Sequence, residues 1–197
     1  MFCFACTGGI GTGKSYVVRI FSALGIPAYI ADDRAKELYE IDKGLLNKLV
    51  EVLGEEIVVD GVLQKRIMAN IIFSNKELLK KVNQIVHPRL LEDFYAWRGE
   101  QERKGVDMII YESAIFLETP IFHSIADKVI VVTAPVDVRI RRVIKRDGID
   151  EKLVKQRINK QWSDEKRLKM ADFIIFTDGK KAVLPQILRI IYEVKKN

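Results

Sequence analysis

Cysteine is nearly absent from this 197-residue chain, with only Cys3 and Cys6 present. A disulfide framework is therefore excluded. A fold of this length needs no staples, since it buries roughly 70% of the surface its unfolded chain exposes. The C-x-x-C spacing lies in MFCFACT, a strand-like run, where residues three apart point to opposite faces and can neither pair nor share a metal. Two unpaired thiols suit a reducing compartment, so a cytoplasmic protein is expected. Proline (5) and glycine (12) are too scarce for a collagen-like or low-complexity chain. No apolar run approaches the ~18 residues of a membrane span, and no basic-then-apolar leader opens the chain, so neither a membrane partner nor secretion is expected. What is abundant is ordinary globular material, 48% hydrophobic and 30% charged, which excludes disorder as the main state.

The charge is unevenly placed. The net +6 resides almost wholly between Arg139 and Lys169, where twelve basic residues face five acidic ones. Such a patch fits a nucleic-acid surface, a segment closing over a small polyphosphate, or a solvated helix face.

Five short β-rich runs alternate with helical patterns, as a parallel α/β sheet requires. They are residues 2–6, 27–31, 107–112, 128–133 and 172–176. After the first, Val17, Ile20, Phe21 and Leu24 fall at helical spacing, with Gly25 where a C-terminal cap belongs. Residues 34–104 are strand-poor, with helical periodicity broken at Gly54, Gly61, Ser74-Asn75 and Pro88. The expected organisation is one domain over 1–197: a core of 1–33, 105–138 and 170–197, a helical insertion over 34–104, and a helical lid over 139–169.

Chemistry enters at Gly8-Gly9-Ile10-Gly11-Thr12-Gly13-Lys14-Ser15, which satisfies G-x-x-x-x-G-K-[ST] between a strand and a helix. Glycines let backbone N–H groups approach phosphate oxygens, and the helix start adds its positive dipole end. Lys14 can reach the β- and γ-phosphates of a nucleotide, and the Ser15 hydroxyl can ligate Mg²⁺. An N-K-x-D base-reading motif is missing, since Asn159-Lys160-Gln161-Trp162 lacks the Asp. The length leaves no room for helicase or transporter elaborations. A phosphotransferase acting on a second small substrate remains.

Asp32 is expected to end the second strand, facing the ligand crevice, where it can accept or orient a hydroxyl proton. Asp33 competes for that role and otherwise reads as a helix N-cap. Glu112 ends the third strand, either holding a metal-bound water or simply exposed. Arg139, Arg142 and Arg146 share one helical face and would repel unless an anion bridges them. Gln161 and Arg167 lie a helix further on. His87 precedes Pro88, which pushes it out of α geometry at a joint between helices, where it is structural or touches substrate.

Taken in order, TGGIGTGKS, the strand leading to Asp32, FSN…VNQIVHP, ESAIFLE and RRVIKRDG…Q…EKRLKMADFII resemble dephospho-CoA kinase, from Thr7 to about Gly179. The resemblance implies a three-layer P-loop NTPase fold like that of nucleoside-monophosphate kinases, with a helical acceptor insertion and a lid. It implies ATP-dependent phosphorylation of the ribose 3′-hydroxyl of dephospho-CoA, the last step of coenzyme A synthesis. A nucleoside-monophosphate or shikimate-type kinase is the alternative. ATP and Mg²⁺ are the implied cofactors, and a small-molecule acceptor rather than nucleic acid the partner. The family's ATP loop falls on Gly11 to Tyr16, its catalytic aspartate on Asp32 and its lid arginines on Arg142 and Arg146. Asp32, His87 and Glu118 are the acceptor-side candidates. The pattern departs at Tyr16 (usually Thr), Ile30 (Asp), Gln64-Lys65 (Asp-Arg), Ala114 (Pro) and Thr177 (Asn).

Overall fold

The computed structural model describes residues 1–196. Strand β1 (Phe2–Thr7) runs into the glycine loop and helix α1 (Lys14–Ala23). Strand β2 (Ala28–Ile30) leads directly into α2 (Ala31–Ile41) and α3 (Lys43–Leu53). A hairpin of β3 (Val58–Val59) and β4 (Val62–Leu63) precedes α4 (Lys65–Ser74) and α5 (Lys76–Arg103). Then come β5 (Met108–Glu112), β6 (Lys128–Thr133), α6 (Val136–Asp147), α7 (Glu151–Asn159), α8 (Asp164–Leu168), β7 (Phe173–Phe176) and α9 (Val183–Lys196). Contacts divide the chain into two units, residues 1–29 with those from 105 onward, and residues 30–104.

The first unit carries a five-stranded parallel sheet in the order β2-β5-β1-β6-β7. β1 pairs with β5 from Phe2↔Met108 to Cys6↔Glu112, and with β6 from Phe4↔Lys128 to Thr7↔Val131. All five residues of β5 are buried, which is why Met108–Tyr111 read as a continuous apolar run rather than an alternating one. α1 buries Val17, Val18 and Phe21, and Phe21 meets Phe4 of β1 at 6.2 Å between ring centroids. Tyr29 stacks on Tyr111 at 5.5 Å. The outer strand β7 has its last edge-facing peptide group covered by a side chain. Phe176 N–H donates to Gln186 Oε1 (2.9 Å), and Gln186 Nε2 donates back to Phe176 O (3.0 Å).

The second unit is helical, and α5 packs against α2, α3 and α4. Two sequence expectations fail here. Pro88 breaks nothing: α5 runs for 28 residues with Pro88 inside it, so His87 lies in mid-helix rather than at a joint. Val82, Val86, Leu90 and Phe94 form one buried stripe four residues apart across the proline. Burying four such side chains at roughly 2 kcal/mol each outweighs the ~3 kcal/mol a mid-helix proline costs. The β3–β4 hairpin was also not expected. Its signal is the Asp60-Gly61 pair, both at positive φ (51° and 76°), flanked by apolar residues, the chemistry of a two-residue hairpin turn. Among the described residues no helix is long and apolar enough to cross a membrane.

Candidate active site

The C-terminal ends of β1 and β5 lie side by side at the centre of the sheet, where an open α/β sheet binds its ligand. From β1 the chain turns through residues 8–13 into α1, with Gly13 as the N-cap. Gly8 cannot be another residue, because a Cβ there would stand 2.3 Å from the Val132 carbonyl oxygen of β6. The N–H groups of Gly11, Gly13 and Ser15 have no acceptor among the described residues, and they cluster at a helix N-terminus. Unspent donors beside a positive dipole end make an anion cradle.

Lys14 lies across this cradle. Its Nζ donates to Gly8 O at 2.9 Å and approaches Gly9 O at 3.5 Å and Glu112 Oε1 at 4.0 Å. Glu112 is buried, which removes the surface reading. Beneath them burial, reinforced by the Glu112 carboxylate and opposed by Lys14, drives the Cys6 thiol pKa far upward. Cys3 and Cys6 are both buried on β1 and form no disulfide with each other.

Beside the loop is a cavity of about 320 Å³ lined by Gly11, Gly13, Lys14 and Ser15 together with Tyr16, Arg19, Arg142, Val143, Arg146 and Thr177. The structure thus brings the phosphate loop, Tyr16 and two predicted arginines to one cavity. Arg142 Nη1 donates to Thr177 Oγ1 (2.9 Å) and Nη2 to Thr177 O (2.5 Å), with Gly11 O 3.4 Å from Nη1. Thr177 Oγ1 in turn donates to Thr12 O at 2.5 Å. Arg146 is exposed and pairs with Asp147, Nε to Oδ1 at 2.6 Å.

The third arginine of the expected face behaves differently. Arg139 is buried, its Nε donating to Ile10 O (2.9 Å) and its Nη1 pairing with Asp164 Oδ2 (2.5 Å). Its charge is satisfied within the protein, so no bridging anion is needed to relieve repulsion along α6. Glu118 Oε1 accepts from Nη2 of the buried Arg167 at 2.5 Å. Arg167 also donates to Trp162 O at 2.6 Å.

Asp32, His87, Gln64 and Lys65 belong to the second unit. Asp32 does not end a strand, since β2 stops at Ile30 and α2 begins at Ala31. It therefore stands exposed in the first turn of a helix. Asp33 is not an N-cap either. Ile30 occupies that position without a side-chain bond, while Asp33 Oδ1 pairs with Lys36 at 2.7 Å. The apolar Ile30 and Ala31 continue into the helix without a capping side chain, which moved the boundary one step ahead of both carboxylates. His87 is half-buried, and the loss of hydration lowers its pKa. Lys65 pairs with Glu40 at 2.7 Å. The sequence reading missed Arg19, although it lies one turn beyond Ser15 on the same helix, and Thr177, which it read only as a departure from pattern.

The family model for dephospho-CoA kinase matches residues 2–182. The chain belongs to the dephospho-CoA kinase family. Curated members from Bacteroides fragilis (strain YCH46) and Porphyromonas gingivalis (strain ATCC BAA-308 / W83) are each 37% identical to it. The first alignment covers 94% of this chain and 89% of the relative, the second 99% and 95%. The solved dephospho-CoA kinase from Campylobacter jejuni superposes with a TM-score of 0.69 at 25% identity, covering 98% of this chain and 97% of its own. The five-stranded parallel sheet is accordingly that of a P-loop kinase. The family's reaction is phosphorylation of dephospho-CoA with ATP as donor, the final step of coenzyme A biosynthesis, and membership makes this chain such a kinase.

Proposed function

We propose that the cradle of Gly8–Ser15 holds the ATP phosphates while Asp32 serves the 3′-hydroxyl of dephospho-CoA. The observation that carries this reading is the convergence of unspent loop N–H groups, Lys14, Arg142 and Arg146 on one cavity. Lys14 exchanges its loop carbonyls and Glu112 for phosphate oxygens, which are the stronger, charged acceptors. Arg142 and Arg146 stabilise charge that grows on the transferring group, and the 139–169 segment keeps water from competing with the acceptor. Asp32, exposed and two residues past β2, accepts or orients the acceptor proton in line with the γ-phosphate. Tyr16 follows the loop and lines the cavity on the nucleotide side. His87 and Glu118 are the remaining acceptor-side candidates.

Mg²⁺ fits the donor set. Ser15 presents an exposed hydroxyl on the first turn of α1, and among the described residues no cluster of three acidic, His or Cys side chains forms a dedicated cage. Mg²⁺ keeps several waters and binds through few protein oxygens plus substrate phosphates, so Ser15 and a Glu112-held water suffice. It would neutralise charge on the phosphates. Buried cysteines outside any disulfide suit a reducing cytoplasm.

The test is a coupled assay of ADP release with ATP and dephospho-CoA, with AMP and shikimate as control acceptors. Lys14→Ala is expected to fold and lose nearly all transfer. Asp32→Asn is expected to lower kcat far more than it weakens ATP binding. A Lys14→Ala variant with near-wild-type turnover refutes the loop assignment, and an Asp32→Asn variant of unchanged kcat removes Asp32 from the chemistry.

A further inference from the structure

Ile10 is held from outside the loop at its N–H, its carbonyl oxygen and its side chain. Its N–H donates to Gln161 Oε1 at 2.9 Å, and its carbonyl oxygen accepts from Arg139 Nε at 2.9 Å. Its side chain packs against the small apolar cluster of Ile140, Val143 and Val154, contributed by α6 and α7. Gln161 follows α7, and Asp164, which holds Arg139, opens α8. Three pieces of the basic segment therefore converge on a single residue. The space a side chain at Gly9 would occupy is already filled: a Cβ there would lie 2.4 Å from Arg139 Nη2 and 3.2 Å from Gln161 Oε1.

These two bonds act on two successive peptide planes. In a trans peptide the C=O and the following N–H point in opposite directions. Gln161 fixes the Gly9–Ile10 plane through its N–H. Arg139 fixes the Ile10–Gly11 plane through its carbonyl, and so dictates where the Gly11 N–H points. That N–H has no acceptor among the described residues. It is a donor whose aim is set by side chains bonded to the Ile10 backbone. The cost of holding Ile10 is already met by the fold, since Arg139 is buried and neutralised by Asp164.

We propose that Gln161 and Arg139 are positioning residues for phosphoryl transfer, pinning the Ile10 peptide so that the Gly11 N–H is pre-aimed into the phosphate cradle. A pre-aimed donor helps most where negative charge accumulates during transfer, so its loss appears in kcat before it appears in ATP affinity. The inference also ties the basic segment to the loop. α6 and α7 cannot change their seat against Ile10 without redirecting a cradle donor.

The inference rests on the loop holding ATP, so the experiment separates the two. Gln161→Leu removes the acceptor at similar size, and Gln161→Glu keeps an acceptor oxygen beside the Arg139 guanidinium. Wild type, both variants and Lys14→Ala are compared for kcat with dephospho-CoA, ATP Kd by calorimetry, thermal midpoint, and hydrogen exchange at the Ile10 amide. Gln161→Leu is expected to lose about tenfold or more in kcat, with ATP Kd changed by less than about threefold and fast Ile10 exchange. Gln161→Glu is expected to restore most of the kcat and the slow exchange. Unchanged kcat in Gln161→Leu, a Gln161→Glu variant as slow as Gln161→Leu, or an ATP Kd that weakens in step with kcat each overturns the proposal. If Gln161→Leu is normal while Lys14→Ala is dead, the clamp alone fails. If Lys14→Ala is active, the loop assignment fails instead.

Discussion

Thr177→Val isolates a single hydroxyl at the junction of the sheet and the phosphate loop. The substitution is nearly isosteric, so the packing of this buried residue (3% exposed) changes little. The polar losses are two. Thr12 O loses the 2.5 Å bond it accepts from Thr177 Oγ1, in a residue that is itself fully buried. Arg142 Nη1 loses its 2.9 Å acceptor, although Nη2 keeps the Thr177 carbonyl. A buried carbonyl left without a donor costs about 1–3 kcal/mol, whereas the half-exposed guanidinium recovers most of its loss from water. The net expectation is a destabilisation of about 2 kcal/mol. For a chain of this size that lowers the thermal midpoint by about 4–8 °C, read by calorimetry or circular dichroism. Thr177→Ser, which keeps the hydroxyl, is expected to lose less than half as much. A Thr177→Val midpoint within about 1 °C of wild type would refute the claim that this hydroxyl carries the junction.

Replacing Arg146 by Ala is expected to lower kcat with little change in stability, because its only described partner is the neighbouring and exposed Asp147; unaltered turnover would leave it a solvated charge. A second expectation concerns acid. His87 titrates below its ordinary value near 6.5, because burial disfavours its charged form. The unfolded chain then binds a proton that the folded one refuses. The stability associated with a neutral His87 is complete above about pH 6.5 and is lost as pH falls from there toward the lowered pKa. His87→Gln is expected to flatten the decline in thermal midpoint over that interval. A decline identical to wild type would assign the acid limb to other groups.

Much of this molecule was legible in one dimension because its signals are local. All five sheet strands were read as short apolar runs, and the glycine loop was read from spacing alone, since backbone approach to phosphate admits few residue types. Pro88 misled for the opposite reason. Its local preference is against helix, but the stripe of Val82, Val86, Leu90 and Phe94 is paid for by burial against other helices, which no local rule sees. Arg139 was misjudged in the same way. Spacing correctly put it on a face with Arg142 and Arg146, but Asp164 lies 25 residues away and Ile10 129 away, and only the fold supplies them. The boundary at Asp32 slipped because the chain passes from β2 into α2 with no intervening turn residue, so composition offered nothing to mark the change.

The Gln186 side chain on β7 has a consequence for how copies of this kinase meet. A parallel sheet ends in an outer strand whose spare N–H and C=O groups form a template for another chain. Here the Gln186 amide presents one donor and one acceptor to Phe176, as an incoming strand would. A foreign strand must first displace that mimic, at the end of β7 where Phe176 and Ile174 leave apolar surface exposed. The glutamine thus works as a plug in the side of the sheet, raising the barrier to edge-to-edge aggregation at this apolar end of β7.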